Sequence, residues 1–556
     1  MNNKLNTHQV INQPQALVNY NSYQSDAALQ QVCAQFNGQW GNDSLIKLGG
    51  LLGQPEWIAK GDVANKVTPE FHSHDAYGRR IDEVRYHPAY HELMALACEY
   101  DIPSLPWKDD QPGSHVMRMA RNYLYNQNEA GSACPLTMTF ACVPSINHNK
   151  ALAKHWFPKI LNSDYDGRNL PLSGKKAATV GMAMTEKQGG TDVRANTSQA
   201  EHIGSDELGE RYHLTGHKWF CSAPMSDAFL TLAQTKSGLS CFLMPRWRYD
   251  GGKNNIHIQR LKDKMGNRSN ASAEIEFAGS DAHLIGEPGK GVRTIIEMVA
   301  MTRYDCMIGS SALMRQATVQ VLHHIALRQV FGERLIDLPL MQNVAADLCL
   351  ESEAALALTA RVAHALDHQD QQHERDLVRL LTAVGKYWIC KRASMHIGEA
   401  QECLGGIGYV EELPLARLYR EAPVNSIWEG SGNVQCLDVI RAIHKQPSCY
   451  QSFIKELEKS QGGHNLFDQA VDELKALSGD DFSQVSARFY VEKMAKAMQA
   501  AQLIQLGNDL VSDAYCEARL APSSGLCFGQ LHRQMNFKAI INRAFATEDK
   551  TVSFGV

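Results

Sequence analysis

The stretch Asn425-Ser-Ile-Trp-Glu-Gly-Ser-Gly-Asn-Val-Gln-Cys-Leu437 places one carboxylate, Glu429, between an aromatic residue and a turn rich in glycine. Glycine lets the backbone approach a planar ligand closely, and apolar neighbours disfavour the charged form of a carboxylate. A carboxylate in such surroundings is typical of a general base. The same residues also suit a helix N-terminus, with Ser431 or Asn433 capping a helix over 434–443. The stretch alone leaves both interpretations open.

The composition is that of a globular protein with several domains. The chain has 556 residues, of which 44% are hydrophobic and 21% are charged, with a net charge of -5. The N-terminus lacks an apolar signal region, and no run approaches the roughly 18 apolar residues of a membrane helix, so we expect a cytoplasmic protein without a membrane partner. The 14 cysteines are scattered without a Cys-x-x-Cys pair. We therefore expect reduced thiols and no metal site.

The period of the apolar residues changes along the chain and predicts a mainly α protein with a central antiparallel β-domain. Helical spacing dominates up to about residue 180, and short alternating segments follow between 212 and 277. Four long amphipathic runs then suit a four-helix bundle. We predict an N-terminal arm and all-helical domain over 1–180, a β-domain over 181–290, a bundle over 291–445 and an appended helical domain over 446–556. The predicted bundle helices are Val292–Val330, Met341–Leu366, Arg375–Leu404 and Val434–His444.

A second motif opens the predicted β-domain: Met182-Ala-Met-Thr-Glu-Lys-Gln-Gly-Gly-Thr-Asp-Val193. Backbone N–H groups exposed in such a turn, beside small hydroxyl side chains, suit the polar edge of a flavin and its phosphates. The glycines lack the G-x-G-x-x-G order, so the motif does not predict a Rossmann unit. Alone, it is equally typical of an ordinary β-turn.

Together, these motifs resemble those of the acyl-CoA dehydrogenase family in order and spacing over roughly residues 100–445. The family's flavin signature matches residues 183–192, and its next strand matches 216–222 with Phe220 in place of a flavin-stacking Trp. The run 328–332 followed by Gln342 matches a segment that reaches a neighbouring subunit's FAD. Residues 404–408 match a pyrophosphate loop, although Glu402 stands where Gln is usual. Residues 427–431 match the motif that carries the catalytic base.

The resemblance implies a fold of α-domain, β-barrel and four-helix bundle, bound to FAD and assembled as a homotetramer. It implies that Glu429 is the catalytic base, which removes a proton α to the carbonyl of an acyl-CoA thioester. Trp428 replaces the usual Tyr, and Lys187-Gln188 replaces smaller residues, which reshapes the acyl channel. The implied cofactor-binding residues are Met184, Thr185, Gly190, Thr191, Phe220, Ser222, Arg328, Trp428, Gly430, Ser431 and Asn433.

A narrower resemblance, to the AidB-type alkylation-response proteins, covers nearly the whole chain. It rests on segments 12–14, 75–88, 184–190, 260–271 and 423–433, and on the helical tail that ordinary acyl-CoA dehydrogenases lack. It implies a flavoprotein of the response to DNA alkylation that binds double-stranded DNA and has weak dehydrogenase activity. Two alternatives stay open. One is a functional acyl-CoA dehydrogenase for short branched chains such as isovaleryl-CoA, whose tail serves assembly, and the other is a flavin-bearing structural protein.

The charge of the tail is compatible with DNA binding but does not require it. Residues 441–556 contain 13 Lys plus Arg and 13 Asp plus Glu, whereas the remainder contains 42 and 47. This small contrast also suits an evenly charged, solvated helical surface. The predicted DNA contacts, of which the first is implied by the resemblance, are Arg441, Arg519, Arg533, Lys538 and Arg543.

Overall fold

The computed structural model describes residues 7–522, 525 and 527–545; the start of the predicted arm and residues 546–556 of the predicted tail lie outside this part. The helices are α1 (Ala27–Gln35), α2 (Asn42–Leu52), α3 (Pro55–Lys66), α4 (Pro88–Glu99), α5 (Leu105–Lys108), α6 (Ser114–Asn128), α7 (Ala133–Ile146), α8 (Lys150–Ile160), α9 (Gly291–Leu327), α10 (Pro339–Asp367), α11 (Gln372–Leu404), α12 (Pro414–Asn425), α13 (Gly432–Lys445), α14 (Ser448–Glu458), α15 (Asn465–Lys475), α16 (Ala487–Gln505), α17 (Asp509–Arg519) and α18 (Phe537–Ala544). The strands are β1 (Glu70–His74), β2 (Arg80–Arg85), β3 (Val180–Ala183), β4 (Gln199–Asp206), β5 (Gly209–Ser222), β6 (Ala228–Thr235), β7 (Gly238–Pro245), β8 (Ile256–Leu261), β9 (Ser272–Ile285), β10 (Gln329–Val330) and β11 (Glu333–Arg334).

The chain divides into two compact units. The first unit gathers 1–55, 115–127 and 306–556, and the second gathers 56–114 and 128–305. The limits predicted at 180, 290 and 445 are not limits of these units. The four-domain division therefore stays a prediction about segments of sequence.

The second unit is built around a barrel-like sheet. Its strands follow the order β6-β4-β5-β9-β7, and β7 pairs again with β6, so the path closes on itself. Bulky apolar side chains fill the inside, among them Phe229, Phe242 and Ile275, and β6 and β7 are buried along most of their length. The prediction of a central β-domain is confirmed. The sheet is mixed, however, because β3 and β4 pair with β6 in parallel.

A β-hairpin corrects the prediction that the first 180 residues are all helical. Strands β1 and β2 pair antiparallel, and their turn is closed by Asp75, whose carboxylate accepts hydrogen bonds from the N–H groups of Tyr77 and Arg79. The hairpin is attached to β8 of the barrel, since the Ile258 N–H donates to the carboxylate of Asp82 over 3.1 Å. The strands escaped prediction because they are rich in His, Arg and Glu, without an apolar alternation.

The first unit is a bundle in which α10 and α11 are the central helices. Their apolar residues recur at helical spacing and are buried, for example Leu348, Leu358 and Leu381. Helix α10 packs on α11, α16 and α18, and α11 packs on α12, α13, α14 and α16. The predicted bundle is confirmed, with boundaries within a few residues of those expected. The tail helices α14, α16, α17 and α18 pack directly on α10 or α11, and α15 packs on its neighbours in the tail.

Buried ion pairs join the tail to this bundle. The guanidinium of Arg361 on α10 contacts Glu374 on α11 at 2.8 Å and Glu456 on the tail helix α14 at 2.9 Å. All three side chains are nearly inaccessible to solvent. Because Arg361 pairs with one carboxylate of the bundle and one of the tail, these buried contacts hold α14 against α10 and α11.

Candidate functional site

The turn that follows β3 is shaped for close approach of a ligand to its backbone. Gly190 and Thr191 are exposed, and Met184 and Thr185 are half-buried. A β-carbon added at Gly190 would lie 2.4 Å from the Oγ1 of Thr185, so glycine leaves room for that side chain in its present position. The carbonyl of Thr185 accepts a 2.7 Å hydrogen bond from the N–H of Trp219 on β5. The turn is thus held against a strand of the barrel.

Strand β5 carries the next two predicted residues on one face. Phe220 is 47% exposed, Ser222 is half-buried, and Cys221 between them points into the core. The hydroxyl of Ser222 lies 3.2 Å from the hydroxyl of Ser272. Within the second unit, the structure brings an exposed aromatic ring and small hydroxyl groups to the strand bonded to the turn. Such a set fits the ring and the polar edge of a flavin.

The pair Glu186 and Lys218 supports this part of the site, and sequence reasoning assigned it no role. The Lys218 ammonium donates to the Glu186 carboxylate over 2.8 Å, and the carboxylate also accepts from the backbone N–H of Thr197 over 2.7 Å. Burial opposes ionisation of Glu186, but Lys218 and these N–H donors hold the pKa of the carboxyl well below its usual range. The signal was in the sequence, because both residues belong to the quoted motifs.

In the first unit, Glu429 lies in the turn between α12 and α13, and not on a helix. Its backbone has a φ of +59°, which places a residue with a side chain in the left-handed region. Trp428 is half-buried and donates from Nε1 to the side-chain oxygen of Asn425 over 3.1 Å. Ile427, expected to shield the carboxylate, is 64% exposed. The role of Glu429 as base stays a prediction.

The alternative interpretation of this stretch, side-chain capping of the following helix, is wrong. Helix α13 begins at Gly432, and Ser431 before it makes no capping hydrogen bond with its side chain. The side-chain oxygen of Asn433 instead accepts from Nε of Arg488, on the tail helix α16, over 2.9 Å. The exposed Ser431 hydroxyl and the first N–H groups of α13 therefore present a polar edge suited to a phosphate. Gly430, with a φ of +100°, completes the turn.

Arg328 follows α9 and contacts the N-terminal arm of its own chain. Its guanidinium donates to the carbonyl of Asn12, and the Asn12 amide exchanges hydrogen bonds of 2.7 and 2.8 Å with the backbone of Gln329. Phe331, three residues on, is fully exposed with a φ of +53°. The arm therefore fixes the segment that the family motif assigned to cofactor contact.

Two of the five predicted DNA contacts are used inside the first unit. Arg519 pairs with Asp347 and, at 2.8 Å, with Glu351, and its side chain is 12% exposed. Arg543 pairs with Glu353 at 2.7 Å. Their charges neutralise carboxylates of α10, so they do not face solvent as the sequence suggested. Burial opposes ionisation of Glu351, but Arg392 and Arg519 lower the pKa of its carboxyl to about 2.

The other three predicted contacts are exposed cations. Arg441 on α13 has 62% of its side chain exposed and lies 3.8 Å from Asp438, which makes closer contacts with Arg379. Arg533 and Lys538 are exposed near the start of α18. These three residues present positive charge at the surface of the first unit.

Metal-binding and membrane-spanning features were sought in the described part of the chain as well. No cluster of three or more His, Cys, Asp or Glu side chains there could hold a metal ion. No helix within those residues has the length and apolarity needed to cross a bilayer. Cys527 is exposed, and the other cysteines are buried.

Comparison with known families assigns three consecutive segments. Residues 12–167 match the N-terminal domain of the adaptive response protein AidB, residues 181–280 match the acyl-CoA dehydrogenase middle domain, and residues 289–444 match the acyl-CoA dehydrogenase C-terminal domain. The matches cover both candidate motifs.

Similarity to individual proteins covers the tail as well as these three segments. It is 43% identical to AidB of Escherichia coli K12 over 94% of this chain and 96% of that one. The Caenorhabditis elegans ACDH-11 structure in complex with C11-CoA is 26% identical, with a TM-score of 0.84 over 92% and 94% of the chains. The apo form of Bd2924 is 29% identical, with a TM-score of 0.82 over 89% and 99%. The chain therefore belongs to the acyl-CoA dehydrogenase family and, within it, to the AidB group.

Proposed function

We propose that this protein is an FAD-containing, double-stranded-DNA-binding protein of the adaptive response to alkylation damage. In this proposal it protects or repairs DNA and retains weak acyl-CoA dehydrogenase activity. The observation that carries the proposal is the similarity to AidB over nearly the full length of both chains, tail included. Acting as a homotetramer in the cytoplasm belongs to the same proposal. Light scattering should then give four times the chain mass of 61.8 kDa.

FAD is the cofactor that the family indicates, and residues of each unit fit it. In the second unit, the turn at Thr185 and Gly190 offers backbone N–H groups, and Phe220 offers an exposed ring. In the first unit, Ser431 and the start of α13 offer a polar edge. When bound, the flavin supplies a hydride acceptor. The purified protein should be yellow, and its visible spectrum measures the bound flavin directly.

Exposed cations of the first unit support the DNA part of the proposal. Arg441, Arg533 and Lys538 carry positive charge into solvent, whereas Arg519 and Arg543 neutralise internal carboxylates. Phosphate contacts by Lys and Arg bind duplex DNA without reading its sequence, and they make the affinity fall steeply with salt. We therefore assign the proposed DNA contacts to the first three residues.

The test is a triple variant, R441A/R533A/K538A, measured by fluorescence anisotropy with a labelled duplex over a range of salt concentrations. Each lost phosphate contact should lower the slope of log K against log salt by about 0.9. The matched control is K47A/K154A/K236A, which removes three exposed cations far along the sequence from the tail. Equal salt slopes for the two triple variants would refute the assignment.

Truncation at residue 445 is a poor test of DNA binding. Deleting the tail removes Glu456, which neutralises Arg361, and Arg519, which neutralises Asp347 and Glu351. The remaining bundle would keep the buried Asp347 without the arginine that pairs with it, and Arg361 and Glu351 would each lose one ionic partner. A loss of DNA binding in the truncated protein would then report misfolding. Point variants of exposed cations avoid this problem.

The specific observation that favours a second function is the intact base motif. Glu429 is present in a well-defined turn, and the similar ACDH-11 structure holds C11-CoA. The second candidate is therefore a functional acyl-CoA dehydrogenase for short branched chains such as isovaleryl-CoA, whose tail serves assembly. Anaerobic bleaching of the flavin by a panel of acyl-CoA thioesters tests it. Fast bleaching that E429Q abolishes would favour this function, and no bleaching by any thioester would leave the flavin a structural role.

A further inference from the structure

Lys386, on α11, places a buried ammonium beneath the turn that carries Glu429. Its side chain is 1% exposed, and its Nζ donates to the carbonyl oxygens of Asn425 over 3.1 Å and Gly430 over 2.8 Å. Both acceptors are backbone carbonyls, one at the end of α12 and one in the turn itself. A buried ammonium costs much more than an apolar side chain of the same size. Its position therefore calls for an explanation beyond packing.

A second buried donor holds the same turn from the other side. Gln435, in the first turns of α13, is fully buried and donates from Nε2 to the carbonyls of Glu429 over 3.2 Å and Gly430 over 2.9 Å. The Gly430 carbonyl thus accepts from both Lys386 and Gln435. Four hydrogen bonds fix three carbonyls, at residues 425, 429 and 430.

The turn held by Lys386 and Gln435 contains a strained backbone conformation at Glu429. Glu429 has a φ of +59°, and such a conformation is strained for a residue with a β-carbon. It persists only where surrounding contacts over-determine it. Gln435 fixes the carbonyl of the Glu429–Gly430 peptide, and Lys386 and Gln435 together fix that of the following Gly430–Ser431 peptide. The direction of a carbonyl sets the rotation of its peptide plane, so these bonds hold the backbone immediately after the Glu429 α-carbon.

We infer that Lys386, assisted by Gln435, is a positioning residue that holds Glu429 in the left-handed conformation from which it acts as a base. The inference rests on the proposed role of Glu429 in proton removal. A base must lie within hydrogen-bond reach of the proton that it takes, and a small displacement lowers the rate strongly. The cation acts through the backbone of the turn. A neutral side chain of similar length would leave the Gly430 carbonyl with one donor in place of two.

The experiment compares the flavin-loaded wild-type protein with K386M. Methionine fills a similar volume without a charge, so the helix should still pack. Hydrogen exchange measured by mass spectrometry should show amides of 425–432 exchanging on the order of ten- to a hundredfold faster, with the rest of α11 unchanged. Flavin content should equal that of wild type. The control is K455M, the same substitution at an exposed lysine of α14. In K455M, the amides of 425–432 should exchange at the wild-type rate.

Activity gives a second readout, which separates positioning from simple stability. In K386M, the rate of flavin reduction by acyl-CoA should fall at least tenfold, while the dissociation constant for acyl-CoA from a spectral titration stays within twofold. Q435L is a further variant should K386M fold poorly, and it should loosen the same amides by a smaller factor. Exchange of 425–432 within twofold of wild type in both variants would overturn the inference.

The outcome is distinguishable from failure of the proposed function. Should the wild-type flavin resist reduction by every acyl-CoA, the dehydrogenase part of the proposal fails. The exchange measurement still decides whether Lys386 holds the turn, because it needs no substrate. Faster exchange of 425–432 together with an unchanged rate of flavin reduction would show that Lys386 holds the turn but does not position Glu429 for proton removal.

Discussion

The carboxylate of Glu186 and the ammonium of Lys218 lie 2.8 Å apart, and neither side chain has any exposed surface. Glu186 lies in the turn after β3, and Lys218 lies on β5, from which it also donates to the carbonyl of Leu232 on β6. The pair therefore ties the exposed turn at Thr185 to two strands of the barrel. Its charges are compensated only by each other and by the hydrogen bonds around them.

Removing one member of this ion pair should lower the unfolding free energy. K218M would leave the Glu186 carboxylate buried without its cation, which typically costs about 3–5 kcal/mol of unfolding free energy. We expect a marked fall in melting temperature, measured by calorimetry, and weaker flavin binding. The double variant E186Q/K218M removes both charges and should recover much of the stability. A double variant no more stable than K218M would contradict the electrostatic explanation.

Gly190 should be intolerant of any side chain. In G190A, the new methyl group would lie 2.4 Å from the Oγ1 of Thr185, so the Thr185 side chain must move or the turn must shift. Overpacking of this kind costs roughly 1–3 kcal/mol, and the shift should weaken flavin binding by about tenfold, measured by fluorescence titration of the apoprotein. Gly479 has no atom near its added β-carbon, so G479A is the control. Equal flavin affinities for the two variants would contradict this prediction.

Asp367 should make stability depend on pH between about 4 and 6. Burial raises the pKa of its carboxyl to about 6, although the carboxylate accepts hydrogen bonds from the N–H groups of His115 and Val116 at the start of α6. The folded state therefore binds this proton more tightly than the unfolded state. The contribution is fully present below pH 4 and is lost as pH rises through 6, by up to about 3 kcal/mol.

The matched variant for this prediction is D367N. Asparagine retains one oxygen that can accept one of the two N–H bonds, and it does not ionise, so the loss of the other bond is the same at every pH. Relative to wild type, D367N should therefore gain stability as pH rises from 4 to 7. Melting temperatures measured in parallel at both pH values give the difference. Parallel pH profiles for the two proteins would show that Asp367 does not titrate in this range.

Arg519 should behave as a structural residue. R519L would leave Asp347 and Glu351 buried with a missing cation, for an expected cost of about 3–5 kcal/mol. R533A, which alters an exposed side chain, should change unfolding free energy by less than about 0.5 kcal/mol. Chemical denaturation compares the two variants. The opposite order of stabilities would restore Arg519 as a surface contact.

The sequence by itself determined the helices of the bundle and the order of the motifs. The apolar period of 341–366 predicted a helix, and the observed helix, Pro339–Asp367, is three residues longer. The period is readable because a helix that buries one face needs apolar residues at helical spacing. The two motifs around Thr185 and Glu429 were equally readable. Each motif consists of residues close together in the chain, so its spacing can be read directly from the sequence.

Only the tertiary structure decided which charges are surface charges and how the strands pair. Arg519 and Arg533 look alike in sequence, yet Arg519 meets carboxylates about 170 positions away on α10. The parallel pairing of β3 with β6 and the polar hairpin β1–β2 likewise depend on contacts between distant segments. The same holds for Lys386, whose ammonium meets carbonyls 39 and 44 residues further on. Charge compensation and strand partners are set by distance in space, which the order of residues does not contain.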